Sequence, residues 1–113
     1  MSIYESTFIV RQDVASAEIN KIAESLSNLI KENGGELLKQ EYWGLRDLAY
    51  EIRKNKKGHY IMLIIEAPYR AMQELQKKIK LSEDIIRSLS VKIESFDGKD
   101  SIMLTSLNRE KNA

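Results

Sequence analysis

The 113-residue sequence contains no cysteine, so it can form neither a disulfide nor a thiolate metal site. Such a composition is typical of proteins in a reducing compartment. The single histidine, His59, has no second imidazole to share a metal with, and its place after a lysine-rich turn favours an exposed surface role. We therefore expect no metal and no cofactor.

The usual signatures of an active site are missing too. The one glycine pair, Gly34-Gly35, is better placed to end a helix than to cradle a phosphate, and no Walker or dinucleotide pattern occurs. Serine is common, but no base is positioned to activate it as a nucleophile. These absences predict a protein that is not an enzyme.

Long apolar runs are absent as well. The longest, Ile61–Ile65, falls far short of the roughly 20 residues that cross a bilayer. The N-terminal residues lack the basic start and apolar core of a signal peptide. We expect a soluble, cytoplasmic protein without a membrane partner, in which 42% apolar residues suffice for one modest core.

An excess of positive charge is also missing. Eighteen Lys and Arg against 17 Asp and Glu leave a net charge of +1. Affinity for nucleic acid comes largely from neutralised phosphates. A chain this close to neutral that binds RNA must therefore cluster its cations or act as part of a larger assembly.

The hydrophobic pattern of the first half predicts a strand, a helix and a long second strand. Residues 3–11 alternate, with Tyr4, Ser6, Phe8 and Val10 on one face. A stripe with helical spacing follows. Asp13 or Ser16 offers its start, and Asn33-Gly34-Gly35 its end. Residues 36–53 are extended, with a bend or bulge expected at Gly44.

The second half predicts a turn, a strand, a helix and a last strand. We expect the turn at Asn55–Gly58 and the next strand at Tyr60–Glu66. Pro68 opens a helix with Lys77, Lys78 and Lys80 near its C-terminal end, and Tyr69, Met72, Leu75, Gln76 and Ile79 as its buried stripe. The last strand is expected from Ile85 to about Phe96, with Leu89, Val91 and Ile93 on one face.

The resulting order, β-α-β-β-α-β, is that of an α+β, ferredoxin-like fold: a four-stranded antiparallel sheet with two helices on one face. We expect one domain over residues 1–96 and a C-terminal tail, mobile or bound to a partner, over residues 97–113. The other sheet face is left uncovered. Tyr60, Met62 and Ile64 would lie there if Ile61, Leu63 and Ile65 face the helices. An exposed apolar face favours a partner, the alternative being that the long strand or the tail folds over it.

The segment from Tyr42 to Tyr60 alternates aromatic residues with cations. Five of the 18 Lys and Arg lie between Arg46 and Lys57. Lysine and arginine bind phosphates, and arginine and aromatic planes also stack on unpaired bases. The alternative is a solvated hairpin with Trp43 and Tyr50 in the core.

This segment resembles the bacterial small-subunit ribosomal protein family numbered six. The matching residues are Trp43-Gly44-Leu45-Arg46, Leu48-Ala49-Tyr50, Ile52, Lys54, Gly58-His59-Tyr60, Tyr4-Glu5, Glu66-Ala67-Pro68 and Ile86-Arg87-Ser88. The likeness covers residues 3–96 in order and spacing. Two departures are Glu51, where the family usually has proline, and Ser2-Ile3, where many members have basic residues.

The resemblance implies a structural constituent of the small ribosomal subunit. Such proteins bind the central domain of the small-subunit ribosomal RNA together with the small basic ribosomal protein numbered eighteen. On this basis the expected RNA contacts are Arg46, Lys54, Lys56, Lys57 and Arg87, although Arg87 could instead form a surface ion pair with Glu83. The expected partner contacts are Tyr50, Tyr60, Met62 and Ile64.

Two other functions fit the same topology. An RNA-recognition-motif domain would carry a Gly-Phe-aromatic pattern on a central strand, whereas the strand here, Tyr60–Ile65, has one aromatic residue. A small-molecule-sensing regulatory domain would dimerise by itself and be stabilised by its ligand.

Overall fold

The computed structural model describes residues 1–111 of the chain. Its elements are β1 (Ser2–Arg11), α1 (Ser16–Glu32), β2 (Glu36–Ile52), β3 (Asn55–Ala67), α2 (Tyr69–Leu81), β4 (Ile85–Ile93) and α3 (Ile102–Lys111). The strands form one antiparallel sheet in the order β2-β3-β1-β4. The ferredoxin-like order is confirmed for the first six elements, and α3 is an addition that the sequence did not predict.

The core lies between the sheet and the pair α1 and α2. Strand pairing places Phe8 opposite Ile61, and Ser6 opposite Leu63, on the helix face. Leu63 and Ile65 are fully buried there, and a buried side chain of this size contributes roughly 1.5–3 kcal/mol to folding. The predicted alternation of β1, and of Ile61, Leu63 and Ile65 in β3, is confirmed.

Both main helices begin without a side-chain cap. Helix α1 starts at Ser16, whereas Asp13, the other predicted start, instead accepts two hydrogen bonds from Arg11. Helix α2 starts directly after Pro68, but Tyr69 is 68% exposed and does not join the buried stripe. The buried stripe is centred on Ala71 and Leu75. The helical period therefore places Tyr69 at the edge of this stripe, on the side of β4.

The β2–β3 hairpin turns two residues earlier than predicted. Ile52 pairs with Asn55, and the two residues between them, Arg53 and Lys54, have φ angles of 46° and 66°. Two successive positive φ angles are those of a type I′ turn, which glycine and asparagine normally favour. The bulge expected at Gly44 is confirmed by a register shift there and a φ of 93°.

Asn55 and Gly58, which suggested the later turn, have other roles. The Asn55 amide donates to the carbonyls of Ile52 and Arg53, and its oxygen accepts from the Gln12 N–H. A Cβ on Gly58 would lie 2.3 Å from Cγ2 of Ile9. Gly58 is therefore a strand glycine that permits close approach of a side chain from β1.

Candidate nucleic-acid and protein interface

The sheet face opposite α1 and α2 carries most of the predicted contact residues. Tyr60, Met62 and Ile64 alternate with the core residues of β3 and lie on this face, as predicted. Tyr60 is partly exposed, but Met62 is 2% exposed and Ile64 4%. The prediction that Met62 and Ile64 offer an exposed partner surface is therefore wrong for this conformation.

The C-terminal segment, residues 97–111, is attached to β2 on this same face. Lys39 forms an ion pair with Asp100, and the Ser101 N–H and hydroxyl both donate to Glu41. In the β2–β3 ladder Lys39 stands opposite Ile64, and Glu41 opposite Met62. The C-terminal segment is thus attached beside the two apolar side chains, in agreement with the alternative that the tail folds over this face.

Glu41 is the centre of this attachment, and no local sequence signal indicates that role. Its carboxylate is 3% exposed and accepts from Trp43 Nε1 at 2.8 Å and from the Ser101 N–H at 2.9 Å. The Ser101 hydroxyl also accepts from the Leu104 N–H at 3.0 Å, as an N-cap does at the start of a helix. One buried carboxylate therefore orients the Trp43 indole and the beginning of α3. Nothing in the local pattern of β2 could reveal it, because Ser101 is 60 residues away.

Of the four expected RNA-binding cations of the hairpin, two lie at its tip and two lie nearer its base. Lys54 and Lys56 are exposed at its tip, where neither has an ion-pair partner among the side chains of residues 1–109. Arg46 and Lys57 lie nearer the base and line a shallow hollow of about 380 Å³ beside Trp43. Lys57 is 3.9 Å from Asp47, an exposed pair that binds weakly and leaves the lysine available.

Arg87 connects this hairpin with β4. Its Nη1 donates to the hydroxyl of Tyr50 at 3.1 Å, although the two residues belong to opposite ends of the sheet order. The hairpin therefore curls across the face and brings Tyr50, 64% exposed, next to Arg87. The ion pair considered between Arg87 and Glu83 is not among those formed within residues 1–111. Arg87 and Tyr60 also line a hollow of about 260 Å³.

His59 is buried and not exposed, which corrects the sequence-based expectation. Its Nδ1 lies 2.8 Å from the Tyr42 hydroxyl and its Nε2 lies 3.3 Å from the Gln12 carbonyl. Burial raises the pKa of the Tyr42 hydroxyl above its usual value. The pair fixes the base of the hairpin on the helix side of the sheet.

The described residues bring cations and aromatic rings together on the β2–β3 hairpin. Among the described side chains, those of residues 1–109, no group of three or more His, Asp or Glu could hold a metal ion. None of the helices in that range is long and apolar enough to span a membrane. Fold and surface together define a small α+β binding module with a cationic hairpin.

Comparison with known proteins identifies which module this is. Residues 3–92 match the family described as "Ribosomal protein S6". The "small ribosomal subunit protein bS6" of Paramagnetospirillum magneticum is 42% identical over 110 residues, which cover 97% of this chain and 76% of that protein. The protein of the same name from Rickettsia bellii strain RML369-C is 48% identical over 110 residues, covering 97% and 92%. The crystal structure of 30S ribosomal protein S6 from Thermotoga maritima superposes with a TM-score of 0.77 at 27% identity, covering 99% of this chain and 98% of that one.

The chain belongs to the ribosomal protein S6 family. Its role is accordingly that of a structural component of the small ribosomal subunit. The family membership decides against the two alternatives considered from the sequence, an RNA-recognition motif and a small-molecule-sensing domain.

Proposed function

We propose that this chain binds the central domain of the small-subunit ribosomal RNA, on the cytoplasmic ribosome, as a heterodimer with the ribosomal protein numbered eighteen. The observation that carries the proposal is the uneven distribution of charge. A chain of net charge +1 gathers Arg46, Lys54, Lys56 and Lys57 on one hairpin, and the Tyr50 hydroxyl of that hairpin accepts from Arg87. These five cations are the proposed RNA contacts.

The proposed partner contacts are the two tyrosines that remain accessible on the open face. Tyr50 is 64% exposed and Tyr60 is partly exposed above a hollow shared with Arg87 and Leu89. Tyrosine offers a large apolar ring and one hydrogen-bonding group, which suits an interface between proteins. A basic partner would also supply the positive charge that this chain lacks, and RNA affinity would become a property of the pair.

The double substitution Arg46→Ala with Lys54→Ala tests the RNA contacts. Titration of the reconstituted heterodimer with its RNA should show weaker binding, and the slope of log affinity against log salt should flatten by about 2, because two phosphate contacts are lost. The matched control is Lys21→Ala with Lys31→Ala, two exposed cations of α1. Affinity and slope equal to those of the unmodified heterodimer would remove Arg46 and Lys54 from the RNA surface.

A further inference from the structure

The outer edge of β4 is a second surface, which lies beside the proposed contacts of Arg87 and Tyr60 but is separate from the β2–β3 hairpin. Strand β4 is the last in the sheet order and pairs with β1; within residues 1–111 no strand pairs with its other edge. A free edge presents unpaired backbone N–H and C=O groups and can accept another strand. Nine residues, Ile85–Ile93, are long enough to pair with an extended peptide.

The helix side of this edge is an open groove because β4 carries small residues there. Ser88 and Ser90 stand opposite Phe8 and Ser6 in the ladder with β1. Their short side chains leave a hollow of about 540 Å³ between α2 and β4. Its floor is closed by hydrogen bonds of the Ser90 hydroxyl with Ser6 at 2.6 Å and with the Gln76 amide at 2.9 Å. The groove therefore has a fixed polar floor and space above it.

The charged side chains that line this groove are all positive. Lys77, Lys80 and Lys92 line it, and no acidic side chain does. Lys77 is 3.3 Å from Glu74, but both side chains are solvent-exposed, so this pair contributes little and leaves most of the positive potential in place.

The other side of the same edge is apolar. Leu89 is 65% exposed and Val91 is 42% exposed, and both lie on the face opposite α2. A strand added to β4 would point alternate side chains to the two sides of the sheet. One set would meet the lysines of the groove, and the other would cover Leu89 and Val91.

We propose that the β4 edge binds an extended segment of another protein in which acidic residues alternate with apolar ones. Strand addition of this kind derives affinity from main-chain hydrogen bonds and specificity from alternate side-chain positions. RNA is the less favoured occupant, because phosphates would leave Leu89 and Val91 uncovered. A second copy of this chain is also less favoured, because its lysine-lined groove would meet the same edge and repel the first.

The proposal goes beyond the RNA-binding role and has its own readouts. The probe is a blocked decapeptide in which glutamate alternates with valine. It should bind to the full chain and slow hydrogen exchange at the amides of β4. Two control peptides should fail to bind: one with lysine in place of glutamate, and one with all the glutamates before all the valines.

The test variant is Lys80→Glu with Lys92→Glu, both exposed. It should weaken peptide binding about tenfold or more, since like charges then face each other. The matched control, Lys21→Glu with Lys31→Glu on α1, should stay within about twofold. Because Lys80→Glu with Lys92→Glu retains all five proposed RNA contacts, RNA affinity of the heterodimer is a separate measurement, and either proposal can fail alone.

Several results would overturn the proposal. They are failure of the alternating acidic peptide to bind, equal binding of either control peptide, and an unchanged affinity in the Lys80 and Lys92 variant. Binding of single-stranded oligouridylate with the same dependence on these lysines would make the groove an RNA site instead. A concentration-dependent dimer that protects the β4 amides would make it an interface between copies of this chain.

Discussion

Single residues decide how the C-terminal segment is attached, and Glu41 is the decisive one. A carboxylate that is 3% exposed must have its hydrogen bonds satisfied, and here Trp43 and Ser101 satisfy them. The alternation of β2 predicts that Glu41 lies on one face of a strand but cannot predict that it is buried. That burial goes with the hydrogen bonds from Ser101, which the chain brings back from 60 residues away.

The substitution Glu41→Gln should therefore loosen the C-terminal segment more than the sheet. The two oxygens of the Glu41 carboxylate now accept hydrogen bonds from Trp43 and Ser101. A glutamine side chain keeps one acceptor oxygen, and its NH2 group cannot accept from these donors. We expect a loss of about 1–3 kcal/mol in unfolding free energy. The chain has one tryptophan, Trp43, so its fluorescence reports the change directly.

Glu51→Gln is the matched control for Glu41, because Glu51 lies on the same strand but is exposed. Urea unfolding followed by Trp43 fluorescence should leave this variant within about 0.5 kcal/mol of the parent. Equal effects of the two substitutions would show that the hydrogen bonds of Glu41 do not hold α3.

Elements with their own periodicity were predictable, and elements made by tertiary contacts were not. The alternation of β1 and the stripe of α1 correctly indicated a strand and a helix at nearly their observed bounds. The hairpin turn was misplaced because Asn55 and Gly58 normally indicate turns, whereas Arg53 and Lys54 normally do not. Helix α3 went unpredicted because its first turn depends on Ser101, which is held in place by Glu41.

Because the turn at Lys54 is strained, one substitution there should raise the stability of the chain and at the same time weaken RNA binding. Lys54 has a φ of 66°, which costs an L-residue about 1–2 kcal/mol relative to its preferred conformations, whereas glycine adopts this angle freely. Lys54→Gly should raise the unfolding free energy by up to about 1 kcal/mol. It should nevertheless weaken RNA binding by the heterodimer, because a phosphate contact disappears.

Lys56→Gly is the comparison for this element. Lys56 lies within β3 and is not among the residues of positive φ, so glycine there loses a cation and also weakens the strand. In RNA titrations both variants should therefore bind more weakly than the parent. In chemical denaturation Lys54→Gly should be more stable than the parent and Lys56→Gly less stable. A destabilised Lys54→Gly variant would show that the turn is not strained at that residue.

At the scale of the whole molecule, the net charge of +1 limits what the chain can do alone. Each phosphate contact contributes about 0.9 to the slope of log affinity against log salt, so five contacts give at most about −4.5. We expect the isolated chain to bind its RNA weakly, with a slope no steeper than this value. The heterodimer with the basic partner should show a steeper slope and a much higher affinity.

The comparison of these two slopes tests directly whether the chain and its basic partner share one RNA-binding surface. Anisotropy titrations from low to physiological salt, on the chain alone and on the heterodimer, supply both values. Arg46→Ala with Lys54→Ala should then flatten the two slopes by the same amount, about 2, because the same phosphates are released in each case. If the isolated chain already matched the heterodimer in slope and affinity, the hairpin cations would suffice alone, and charge supplied by a partner would have no part in RNA binding.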